Sequence, residues 1–114
     1  MLSEARIILP WTVRGKAQMD IHAETARMLI NRFGGYTKYT ATGGWKDNID
    51  GAYVVEPVVV YDVATDASSV EDYEDLWKIA SRLGALMEQR EIYLRDVNGT
   101  VHMVPPDKDA VYDT

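Results

Sequence analysis

The chain contains no cysteine. Disulfides, thiolate metal sites, cysteine nucleophiles and iron–sulfur clusters are therefore excluded as sources of stability or chemistry. Histidine is scarce: His22 and His102 are the only two, and neither stands in a His-x-x-x-His or Glu-x-x-His spacing. No metal site and no cofactor is expected. No apolar run approaches the roughly 20 residues that span a bilayer, and the start of the chain lacks the basic segment and small-residue cleavage site of a signal peptide. A cytoplasmic protein that does not engage membranes is the expectation. Basic residues are the minority charge, 12 against 18 acidic ones, for a formal net charge of −6. That balance provides no general attraction to nucleic acid.

What is present fits one α+β domain over residues 1–106, followed by an acidic tail, 107–114, expected to be mobile because little apolar anchors it. The segment Gly34–Ala64 reads as two long antiparallel strands joined by the polar turn Lys46–Gly51, since β-branched and aromatic residues dominate both arms. Before it, Arg6–Arg14 alternates as a strand, with Ile7, Leu9, Trp11 and Val13 on one face and a bulge or an unpaired side expected at Pro10. A helix follows from an N-cap at Asp20, with Ile21, Thr25, Met28, Leu29 and Phe33 at helical spacing, and ends at Gly34-Gly35. After the hairpin, Ser69 and Asp72 have capping spacing for a second helix that runs to about Glu88. Strands Glu91–Val97 and Thr100–Val104 flank the tight-turn pair Asn98-Gly99.

This order predicts a ferredoxin-like βαββαβ antiparallel sheet with two helices on one face and an extra short C-terminal strand. The second hairpin arm is apolar on both parities, with Tyr53, Val55, Val59 and Tyr61 on one side and Val54, Val58 and Val60 on the other. A strand of that kind is expected to be covered on both faces, and the commonest cover for an open sheet face is another copy of the chain. A homo-oligomer, in the first instance a homodimer, is expected.

Gly43-Gly44-Trp45-Lys46-Asp47 is the most unusual local string: paired glycines permit close approach, and Trp45 offers a stacking surface. Lys38, Thr40 and Thr42 share a parity on the first hairpin arm, as do Arg6, Thr12 and Arg14 on the N-terminal strand. If those faces coincide, Arg6, Arg14, Lys38, Thr40, Thr42 and Trp45 form a cradle for a small anion carrying a ring. Glu56 interrupts an apolar strand, either as a carboxylate raised in pKa by burial or, more economically, as a cross-hairpin partner of Lys38. Neither histidine has a nearby carboxylate at a diagnostic spacing.

Through Phe33–Tyr36, Gly44–Asp47, Val55–Ala64 and Gln89–Leu94, the chain resembles a loose group of small phage and bacterial proteins over residues 30–95. The resemblance implies a ferredoxin-like subunit and brings no catalytic residues with it. By analogy it also implies a phage protein acting on host defence or signalling. Together with the expected cradle, this favours a non-catalytic homo-oligomer that binds a small anionic ligand, a nucleotide among the candidates. The alternatives are a dimeric ferredoxin-like enzyme of monooxygenase or isomerase type, with His22 or Glu56 as acid or base, and a protein-binding inhibitor module.

Overall fold

The computed structural model describes residues 2–107. Strand β1 (Leu2–Pro10) is followed by a small hairpin, β2 (Thr12–Val13) and β3 (Lys16–Ala17), then by helix α1 (Met19–Phe33). The long hairpin β4 (Thr37–Lys46) and β5 (Tyr53–Asp66) leads into helix α2 (Val70–Leu86), and β6 (Ile92–Arg95) and β7 (Val101–Val104) close the chain. The five longer strands form one antiparallel sheet in the order β4-β5-β1-β6-β7.

Strand alternation builds the core. Ile7 and Leu9 of β1, Val59, Tyr61 and Val63 of β5, and Ile92 and Leu94 of β6 are buried in one cluster with Leu29 of α1 and Leu76, Ala80 and Leu83 of α2. Each such side chain contributes about 1.5–3 kcal/mol when fully buried. The alternate residues, Arg6 and Ile8 of β1 and Glu56, Val58, Val60 and Asp62 of β5, therefore face away from this core, on the open side of the sheet. Val58 and Val60 are nonetheless 7% and 5% exposed within the single chain. Neighbouring side chains already enclose these two within one chain, whereas Tyr53 and Val55, nearer the hairpin tip, are exposed.

Helix ends follow local rules, with one revision. Ser69 caps α2 by accepting from the Asp72 backbone N–H at 3.1 Å, while Gly34, at φ 92°, ends α1 and donates to Ile30. The first helix begins earlier than Asp20: Gln18 is its N-cap residue and makes no side-chain capping bond, so Asp20 sits in the first turn, where its charge suits the helix dipole. Pro10 ends β1 without a bulge, paired with Val58 on one side and unpaired on the β6 side, and the chain turns at Trp11 into the small hairpin. Arg32 ties the helices together through Asp72 at 2.7 Å and Asp75 at 2.5 Å. The Asp107 backbone N–H donates to Ser81 at 3.0 Å, and the remainder of the tail lies outside the described residues. Ser69→Ala should cost about 1 kcal/mol through loss of the cap. A urea midpoint unchanged from wild type would show that the Asp66–Asp72 contacts hold the helix start unaided.

No helix among the described residues is long and apolar enough to cross a membrane.

Candidate functional site

Strand β5 outruns β1. Pro10, the last residue of β1, stands opposite Val58, so at Glu56 the sheet has β4 on one side and has lost β1 on the other. A groove of about 580 Å³ opens there on the sheet's open face, within the size range of small-molecule sites. The Gly43–Asn48 stretch forms one wall and Glu88–Glu91, leaving α2, the other; Ile8, Val58 and Tyr93 are among the side chains between them.

Glu56 and Trp45 distinguish this groove chemically. Glu56 pairs across the ladder with Gly43, so no side chain stands opposite it. It is half-buried, makes no hydrogen bond or ion pair among the described residues, and burial pushes its carboxyl above the ordinary range. A carboxylate held this way lacks a cation, since desolvation without compensation is costly. Trp45 lies on the same face, 45% exposed. An aromatic face next to an uncompensated carboxylate suits a ligand that carries both a ring and a positive charge.

The expected anion cradle does not assemble. In the β4–β5 register, Lys38 pairs with Tyr61, Thr40 with Val59 and Thr42 with Pro57, which places all three on the helix-facing side of the sheet. Arg6 and Trp45 are on the opposite face. Arg6 is also already held by Asp62, through Nε at 2.8 Å and Nη2 at 3.3 Å. Arg14 sits in the β2–β3 turn at φ 53° and donates to Glu88 at 2.8 Å, at the groove's outer wall. The expected Lys38–Glu56 pair is absent, because the register carries the two residues to different rows and opposite faces.

Both histidines are held by partners that their sequence neighbourhood does not show. His22 is buried: its Nε2 is 2.9 Å from the Pro10 carbonyl and its Nδ1 2.6 Å from the Tyr61 hydroxyl. The carbonyl can only accept, so Nε2 carries the proton and Tyr61 donates to Nδ1. His102 reaches Asp96 at 2.8 Å across the β6–β7 turn, and Asp96 also accepts from the backbone of Asn98 and Thr100. Both are structural clamps, and His22 holds the Pro10 carbonyl at the groove's edge. A smaller cavity of about 260 Å³ lies at the start of α2, beside Ser69 and Asp96. Those two polar groups are already bonded there, which leaves the β4–β5 groove as the better-equipped site. Among the described residues no cluster of three or more acidic or histidine side chains could hold a metal ion.

Sequence reasoning singled out Trp45 and the glycine pair and weighed Glu56, but missed Ile8, Tyr93 and the Glu88–Glu91 wall. These come from three separate segments, and no spacing along the chain signals their meeting.

No family model and no curated protein matches the chain. Solved structures of a phage SAM lyase do match it. The form in complex with S-methyl-5'-thioadenosine is 17% identical, with a TM-score of 0.68 over 89% of this chain and 84% of that one. The apo form is 18% identical, with a TM-score of 0.62 over 87% and 82%. At these identities the likeness is one of fold. The likeness is consistent with the small phage proteins that the resemblance implied, but the matching structures are those of an enzyme, one of them holding a ligand. The expectation of a non-catalytic anion-binding protein is thereby overturned, and the enzyme alternative fits better.

Proposed function

We propose that the chain is a small enzyme that cleaves a carbon–sulfur bond of S-adenosylmethionine, with the β4–β5 groove as its active site. The observation that carries the reading is Glu56: a half-buried carboxylate without a partner among the described residues, on the same sheet face as the exposed Trp45 ring, in a groove of small-molecule size. S-adenosylmethionine brings a sulfonium and an ammonium near a planar adenine, a cation for Glu56 in a groove that Lys46 and Arg90 also line. The fold likeness to a lyase of the same substrate supports the choice.

The chemistry asks little of the protein. A sulfonium is already a good leaving group, so neither metal nor oxidant is needed. In the proposed step a carboxylate oxygen of the substrate bonds to its own γ-carbon and closes a five-membered lactone. The γ-carbon–sulfur bond breaks, its electron pair returns to sulfur, and S-methyl-5'-thioadenosine leaves as a neutral thioether; no proton moves. Opposite charges cancel during this step, so a poorly solvated groove floored by Ile8, Val58 and Tyr93 favours the transition state over the ion pair. Glu56 holds the cationic end, and Trp45 stacks on the ring.

The strand order supports a ferredoxin-like subunit; we further propose that it is phage-encoded and acts in the cytoplasm. We also propose that copies associate through the hairpin tip, where Ile49, Tyr53 and Val55 are 76%, 84% and 72% exposed. The direct trial is incubation of purified protein with S-adenosylmethionine, followed by mass spectrometry. S-methyl-5'-thioadenosine and the amino lactone should accumulate in equal amounts. Intact substrate after prolonged incubation would sink the reading.

A further inference from the structure

We propose that Arg95 anchors a second ligand site, on the open face of the sheet, that takes a small oxyanion of the carboxylate or phosphate class. The proposal goes beyond the groove and does not rest on the lyase reading. Among the described residues one buried side-chain polar atom lacks a hydrogen-bond partner, and it is Nε of Arg95. The rest of the guanidinium is no better served: Arg95 makes no hydrogen bond or ion pair among the described residues. A buried donor left unpaired is costly, and more so on a charged group.

The register shows why the fold leaves Arg95 unpaired. Arg6 stands opposite Asp62 on one side and opposite Arg95 on the other, so two arginines and one carboxylate share a row and a face. Like charges directly opposite one another destabilise a sheet. Asp62 is already committed, accepting from Arg6 Nε at 2.8 Å, from Arg6 Nη2 at 3.3 Å and from the Tyr39 hydroxyl at 3.4 Å. On its other side Arg95 stands opposite Val101, which brings no charge. Glu4, two residues from Arg6 on the same face, is exposed and makes no ion pair among the described residues. Arg6 also shows what Arg95 is equipped to do: its Nε–Nη2 edge holds both oxygens of one planar group side-on. Carboxylates and phosphates present two oxygens at the spacing that this fork requires. Arg95 as a whole is part-exposed, so an ion from solvent reaches the guanidinium, and a turn about its last torsions brings Nε onto it. The net charge of −6 gives the protein no general pull on anions, so recognition would depend on the fork.

Inorganic phosphate and acetate, each titrated against chloride at constant ionic strength, are the probes, and the Arg95 Nε–H resonance in nitrogen–proton NMR spectra is the readout. In wild type that resonance should shift and saturate with at least one of the two. Arg95→Lys keeps the charge without the fork, so its binding, read from the backbone resonances of β6, should be about tenfold weaker. Arg14→Gln, which alters an arginine outside this row, should bind as wild type does. The same ion should raise the urea midpoint of wild type and leave that of Arg95→Lys unmoved. An Nε–H resonance that neither ion moves would overturn the site, and so would an Arg95→Lys variant that binds as tightly as wild type. A resonance that follows protein concentration instead of added ion would overturn the free-ion site in favour of a carboxylate from another copy of the chain.

Discussion

Glu56→Gln should lower kcat/KM for S-adenosylmethionine by about tenfold or more, the scale of losing one charge-assisted contact that holds the substrate's cationic end. The same change should leave the protein folded and somewhat more stable near neutral pH. The two effects share one cause. Burial raises the Glu56 carboxyl above its ordinary pKa, so between the unfolded and folded values the folded state holds a proton that the unfolded state has released. Stability from this group is fully present below the unfolded value, about 4.3. It is lost as pH rises through the folded value, and the charged, unpartnered side chain then weighs against the fold. Gln carries no charge at any pH. The variant and wild type should therefore converge in urea midpoints at about pH 4 and separate in the variant's favour at about pH 7. A variant that turns over substrate as fast as wild type would show that Glu56 does not hold the cation. A variant less stable at neutral pH would show that the carboxylate has a partner in the fold.

The placement of Glu56 was only half legible in the sequence. Local rules gave the frame: the alternation of Ile7 with Leu9 and of Val59 with Tyr61, the Ser69 cap and the Asn98-Gly99 turn all depend on residues close in the chain. The site depends on register. Lys38, Thr40 and Thr42 were correctly grouped on one parity, but only the pairing of Lys38 with Tyr61 decides that this parity faces the helices. The same pairing sets Glu56 against Gly43, so a residue that looked like half of an ion pair is left alone in a groove. A strand can be recognised from its own residues; the face that it turns to a ligand is fixed by strands elsewhere.

His22 shows the same limit from the side of stability, and its removal should be among the most costly single changes in the chain. Its two ring nitrogens join α1 to the sheet, one bonded to Tyr61 on β5 and the other to the carbonyl of Pro10 where β1 ends at the groove. The ring also packs on Trp11, at 5.2 Å between centroids. His22→Ala takes the ring nitrogens from the Pro10 carbonyl and from the Tyr61 hydroxyl, which keeps only the residue 22 carbonyl at 3.5 Å, and opens a cavity; it should cost about 3–5 kcal/mol. Tyr61→Phe removes only the hydroxyl and strands one nitrogen, so about 1–3 kcal/mol is expected. The pH dependence follows from burial, which lowers the His22 pKa, with Lys38 adding to the effect and the Pro10 bond opposing it. Above about 6.5 the ring is neutral in both states and its contribution is complete. As pH falls below that value the unfolded chain takes up the proton first, so wild type should lose stability toward the lower folded pKa, at up to about 1.4 kcal/mol per pH unit. His22→Ala should lose this part of the acid sensitivity along with its baseline stability. Urea unfolding across that range reads both effects. Equal acid slopes in wild type and variant would mean that His22 does not carry the sensitivity, and an unchanged midpoint at neutral pH would mean that the clamp between α1 and the groove end is dispensable.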